Sequence, residues 1–112
     1  TGDPARFDET KPIAILIDRR TASAAEWLAF NAQATGRARI IGDRSFGAAH
    51  LIGDPVRLAH GYSLSIPDAR PVSIATGKSW ERVGVTPDIP GGDDPVYTAM
   101  RALEADLASV RR

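Results

Sequence analysis

The chain has 112 residues and a mass of 12.0 kDa, room for one small domain, and 43% of its residues are hydrophobic. Fourteen basic side chains balance fourteen acidic ones, and no basic or acidic run stands out, so nothing points to a nucleic-acid partner. The absence of cysteine excludes disulfides, thiolate metal sites and a cysteine nucleophile, and the longest apolar stretch, residues 13–17, is too short to span a bilayer.

Residues 1–12 are polar, carry Pro4 and Pro12, and read as a lead-in loop. The run Ile13-Ala14-Ile15-Leu16-Ile17 is rich in β-branched residues and lies between Pro12 and Asp18, which predicts a strand buried on both faces, as in parallel sheets. A helix is expected over 24–35, with Ala24, Trp27, Leu28, Phe30 and Ala34 as its apolar positions and Gly36 as its stop. Residues 38–42 read as a second strand, completing a right-handed βαβ unit.

The middle of the chain changes character. Residues 56–59 and 62–67 flank His60-Gly61, a hairpin turn in which glycine supplies positive φ. Residues 72–75 are expected as a short strand, 76–79 as a loop and 83–88 as an extended segment ended by Pro87. A final amphipathic helix is capped by Asp94 with Pro95 at its first position. Its apolar stripe is Val96, Met100, Leu103, Leu107 and Val110, with Arg101, Glu104 and Asp106 toward water.

Chemistry concentrates at Thr21-Ala22-Ser23-Ala24-Ala25-Glu26, where the first strand passes into the first helix. A serine there has its hydroxyl at a helix N-terminus, where free N–H groups and the helix dipole favour a developing oxyanion. The same spacing, Ser23-x-x-Glu26, also spells a capping box, the commoner meaning of that pattern. Gly42-Asp43-Arg44-Ser45-Phe46-Gly47 resembles the opening of a phosphate loop, but Ala48-Ala49 replace the Lys-Ser/Thr pair, so it reads as a tight turn after a strand. His60 is a turn residue and His50 a loop residue able to line a cleft. No cluster of ligands suits a metal, and no cofactor motif is present. Glu81, beside Trp80, is either a surface carboxylate facing Arg82 or a desolvated one that tunes a catalytic group.

The ordered set of segments resembles the tail-specific protease family, also called C-terminal processing peptidases. The matches are the apolar strand before Thr21-Ala22-Ser23-Ala24-Ala25-Glu26, the stretch from Gly36 through Ile40-Ile41-Gly42 to Phe46-Gly47, then Trp80-Glu81 and Gly84-Val85-Thr86-Pro87-Asp88-Ile89. The resemblance implies an α/β fold, part of a crotonase and Clp-protease-like superhelix of ββα units. It places the family nucleophile on Ser23 and one oxyanion donor on the backbone N–H of Ala24. Members with a Ser-Lys dyad have Lys where this chain has Ala48, so the sequence is more similar to the tricorn-core and retinoid-binding-repeat subgroup, whose tetrad carboxylate falls on Glu81. In that subgroup the base, its partner serine and a Gly-rich oxyanion loop precede the nucleophile.

The chain is accordingly expected to be a C-terminal fragment of a serine-peptidase catalytic domain, with little activity by itself. Its partner would be a peptide or protein substrate, with no cofactor, no nucleic acid and no membrane-spanning segment. An exposed strand edge further suggests a dimer or other homo-oligomer. The alternatives are a non-catalytic module binding apolar ligands and an assembly piece using its last helix. Family members often work outside the cytoplasm, but the compartment is not legible in these residues.

Overall fold

The computed structural model describes residues 10–110; the lead-in expected over 1–12 therefore falls largely outside the described residues. A βαβ unit comes first: β1 (Ala14–Ile17), α1 (Ala24–Ala34) and β2 (Arg39–Gly42). The strands β1 and β2 pair in parallel, Ile15 opposite Ile40 and Ile17 opposite Gly42. A short parallel strand, β7 (Ile89–Pro90), joins the other side of β2, giving the order β1-β2-β7.

The central position of β2 explains its burial. Successive side chains of a strand point to opposite faces, and Ile40 and Ile41 are both fully buried. Ile40 joins Ile17, Ala29, Ala49, Trp80 and Val85 in the core, with Phe30 packed on Trp80 at a ring separation of 5.2 Å. Ile41 points to the other face, where the last helix, α2 (Pro95–Val110), contacts β1 and β2. Burying side chains of this size contributes about 1.5–3 kcal/mol each. By contrast, among the described residues β1 lies at the edge of the sheet. Ile17 is buried, but Ile13 and Leu16 are 40% and 45% exposed, which corrects the expectation of a strand covered on both faces.

Asp88 fastens β7 to β2 before any ladder begins. Its N–H donates to the Ile40 carbonyl at 2.7 Å, and its Oδ2 accepts the Ile40 N–H at 2.8 Å. Gln33 on α1 donates to Asp88 Oδ1 and to the Thr86 carbonyl. The extended segment expected over 83–88 thus begins at the end of a turn over 81–83, closed by the Val83 and Gly84 N–H groups on the Trp80 carbonyl, and continues as a pinned approach to β7.

Residues 51–70 form an arm that is exposed throughout. Two antiparallel pairs follow one another along it: β3 (Leu51–Ile52) with β6 (Pro67–Ala69), then β4 (Val56–Arg57) with β5 (Ser63–Leu64). The tip is a 3-10 turn over Ala59–Gly61, where His60 and Gly61 have φ of 60° and 80°. The expected hairpin is present, and β3–β6 extends it. The strand expected over 72–75 is absent; Ser73 and Lys78 close a turn there instead, with Ser73 N–H donating to the Lys78 carbonyl.

The last helix starts as expected, Asp94 Oδ1 accepting the Tyr97 N–H at 2.9 Å. Its packed face differs from the predicted stripe. Val96, Met100 and Leu107 are about half exposed, whereas Ala99 is buried and Ala102, Leu103 and Asp106 are partly buried; the Val110 side chain lies outside the described residues. Small alanines admit the helix close to the sheet, and Arg39 forks onto Asp106 at 2.9 and 3.2 Å, fixing the helix rotation. Asp106 therefore faces β2 and not open water.

Candidate active site

The connection from β1 to α1 is wound tightly by local bonds. Asp18 Oδ1 accepts the N–H groups of Arg20 and Thr21. These contacts, the Arg20 N–H foremost, hold the Asp18 carboxyl below the usual carboxylate range. The turn delivers Ser23 to the head of α1 with φ 56° and ψ −120°. An ordinary serine cap sits in the extended region. Positive φ in a non-glycine residue is strained by about 1–3 kcal/mol and persists only where the surroundings over-determine it.

Glu26 is what over-determines it. Its side chain is fully buried, and four donors converge on the carboxylate. Oε2 accepts the N–H of Ser23 at 2.9 Å and of Ala48 at 2.9 Å. Oε1 accepts the Ser45 hydroxyl at 2.5 Å and the Gly47 N–H at 2.6 Å. Ser45 Oγ in turn accepts the Val85 N–H at 2.7 Å. The capping box is present in outline: Glu26 closes its own arm, and the Ser23 side chain faces the Glu26 N–H without completing a strict hydrogen bond. One carboxylate thus ties the Ser23 turn, the 45–48 segment and the start of the 85–88 approach together. The tight turn expected over 42–47 is an extended segment clamped between these partners, with Phe46 N–H on the Thr21 carbonyl and Arg82 N–H on the Gly47 carbonyl.

Ser23 and Ala24 open onto a pocket of 250 Å³ whose other walls are Trp27, Ala49, Leu51, Pro71 and Trp80. Among the described residues the Ala24 N–H donates to no acceptor, so it points free at the helix N-terminus, as an oxyanion donor must. Trp80 is held by its indole N–H on the Ala48 carbonyl at 3.2 Å.

Glu81 sits behind this pocket. Its Oε2 accepts the N–H groups of Ala49 at 2.8 Å and His50 at 3.1 Å, and its Oε1 lies 3.5 Å from His50 Nδ1. The Ala49 N–H above all, then the His50 N–H, holds its carboxyl below the ordinary 4.5. His50 lines a cleft, but on the Glu81 side and not in the pocket that Ser23 opens onto. The family resemblance implied roles for Ser23, Ala24 and Glu81, and the structure sets the first two in one pocket with the third across its wall. They missed Ser45 and the wider role of Glu26, because the partners lie 19 to 22 residues further along the chain.

Residues 1–90 match the profile of peptidase family S41. The carboxyl-terminal-processing protease of Picosynechococcus sp. (strain ATCC 27264 / PCC 7002 / PR-6) is 31% identical over 96 residues, covering 86% of this chain and 23% of that protein. The solved structure of the photosystem II D1 C-terminal processing protease superposes with a TM-score of 0.63 at 31% identity, over 82% of this chain and 24% of that one. Tricorn protease shares the fold, with a TM-score of 0.71 at 24% identity over 85% of this chain and 10% of that one. The chain spans about a quarter of the length of the C-terminal processing proteases it matches. Its strand–turn–helix at Ser23 and its parallel sheet lie within the matched stretch, and the chain belongs to peptidase family S41, the tail-specific or C-terminal processing peptidases.

Proposed function

We propose that these residues carry the nucleophile of a serine peptidase acting on peptide or protein substrates. The observation that carries this reading is the backbone of Ser23: it is held at positive φ at a helix N-terminus, by a buried carboxylate, on the rim of an apolar pocket. A cap alone has no need of that conformation. The Ser23 hydroxyl attacks the substrate carbonyl, forming the C–O bond of a tetrahedral intermediate. The Ala24 N–H bonds the oxygen that becomes negative, and collapse expels the amine and leaves an acyl-enzyme for water to cleave.

A base must take the Ser23 proton and later protonate the leaving amine. Lysine is not available at Ala48, whose N–H is engaged with Glu26. We assign the base to parts of the relatives' length that this chain does not match, and we assign Glu81 to its support, as an ionised acceptor oriented by the N–H groups of Ala49 and His50. The isolated chain is then expected to hydrolyse peptides poorly.

The test is labelling of the full-length protein with a serine-reactive fluorophosphonate. Adduct on Ser23, lost in Ser23→Ala together with peptide hydrolysis, supports the reading; hydrolysis that survives Ser23→Ala overturns it. The apolar lining of the pocket, Trp27, Leu51, Pro71 and Trp80, favours one other reading, a module that binds apolar ligands. Tight binding of such a ligand with no labelling of Ser23 would establish it.

A further inference from the structure

The wall behind the Ser23 pocket has a second side with the opposite chemistry. Consecutive residues point away from each other along it: Ala49 and Trp80 line the apolar pocket, while His50 and Glu81 line a separate cleft of 460 Å³. Arg70, Lys78, Ser79 and Arg82 complete that cleft. Three permanent cations therefore outnumber the one carboxylate in it, Glu81, whose Oε2 takes the N–H groups of Ala49 and His50 and whose Oε1 lies 3.5 Å from His50 Nδ1. Among the described residues Arg70, Lys78 and Arg82 form no contact ion pair, Arg82 acting on Glu81 only at longer range, and the Ser79 hydroxyl is shielded from water without a hydrogen-bond partner. Like charges gathered in a concave site repel one another, and an anion relieves that repulsion while taking charge-assisted hydrogen bonds.

We propose that this cleft is an anion subsite that takes a carboxylate of the peptide bound at Ser23, either its C-terminal α-carboxylate or an acidic side chain. The assignment rests on reading the neighbouring pocket as a peptidase site, because a peptide supplies carboxylates as its ordinary anions. The chain's zero formal charge argues against a nucleic-acid backbone as the occupant. A substrate lying over the 49–50 and 80–81 wall presents one part to the apolar pocket and another to the cations, so the cleft would select which residue of a substrate lies beside Ser23.

The experiment uses the full-length protein carrying Ser23→Ala, so that peptides stay intact, and isothermal titration calorimetry with three decapeptides of Ala, Leu and Ser. One has a free C-terminal carboxylate, the second is its C-terminal amide, and the third is the amide with one internal glutamate. The two carboxylate-bearing probes report the two sources separately. Arg70→Gln with Lys78→Gln should weaken binding of at least one of them about tenfold, the loss of one to two charge-assisted contacts, and leave the plain amide unchanged. Arg101→Gln, on the outer face of α2, serves as the charge control and should change nothing. Equal affinity for all three peptides, an equal loss for all three in the double variant, or no binding of either carboxylate probe at millimolar concentration would overturn the proposal. Phosphonate labelling of Ser23 reports on the serine reading alone: labelling without carboxylate dependence removes the subsite, whereas carboxylate-dependent binding without labelling removes the nucleophile and leaves the subsite standing.

Discussion

Replacing Glu26 by Gln should unlatch the Ser23 turn with almost no change in side-chain volume. A carboxylate offers two acceptor oxygens, and in this site both are used twice. A carboxamide offers one oxygen and an NH2 group. With NH2 in the place of Oε2, two partly buried donors, the N–H groups of Ser23 and Ala48, face a third. With NH2 in the place of Oε1, the Ser45 hydroxyl can turn and accept, and only the Gly47 N–H is left opposed. The second arrangement costs less. It still strands one buried donor, at about 1–3 kcal/mol, and converts charge-assisted bonds to neutral ones, for a total of about 2–4 kcal/mol. Glu26→Ala strands all four donors and should approach the whole stability of a small domain, about 5–15 kcal/mol. Urea unfolding midpoints measure the global cost, and amide hydrogen exchange at Gly47 and Ala48 measures the local one. Phosphonate labelling of Ser23 should slow by at least about tenfold in Glu26→Gln, a change of some 1.4 kcal/mol in the barrier. A stability change below about 0.5 kcal/mol with unaltered protection at Gly47 and Ala48 would refute the latch.

Other outcomes follow from single contacts. Gly42 has φ 129°, and a β-carbon there would collide with the Ile17 carbonyl oxygen where β1 and β2 run side by side, so Gly42→Ala should cost about 3 kcal/mol or more in chemical denaturation. Glu81 has its folded pKa lowered below the ordinary 4.5, chiefly by the Ala49 N–H; its stabilising contribution is therefore complete above 4.5 and is lost as pH falls through the folded value. NMR titration should show the Ala49 and His50 amide shifts moving with a midpoint below 4.5, and a midpoint above it would contradict the two hydrogen bonds. The open edge of β1, with Ile13 and Leu16 partly exposed, predicts association of the chain into a homodimer, and light scattering that shows only monomer at high concentration would count against it.

Much of the local structure was legible because its causes are local. Asp94 and Pro95 start α2 through a side-chain oxygen and a fixed φ within four residues. Gly61 turns the hairpin because it can take positive φ, and the alternation of apolar runs with a glycine stop marks the βαβ unit. Ser23, Ala24 and Glu81 became candidates only through the ordered resemblance to the family; by local pattern alone Ser23 reads first as a helix cap. What tertiary structure alone decided involves partners far apart in the chain. Glu26 holds the Ser23 turn because Ser45, Gly47 and Ala48 are brought to it by the fold. The stripe on α2 misled because hydrophobic periodicity records which face is most apolar, whereas close packing on β1 and β2 selects the face of Ala99 and Ala102, and the Arg39–Asp106 fork holds it there. Burial of β1 was overestimated for a related reason: the composition of a strand tells what it can bury, and only its place at the edge of the sheet tells what covers it.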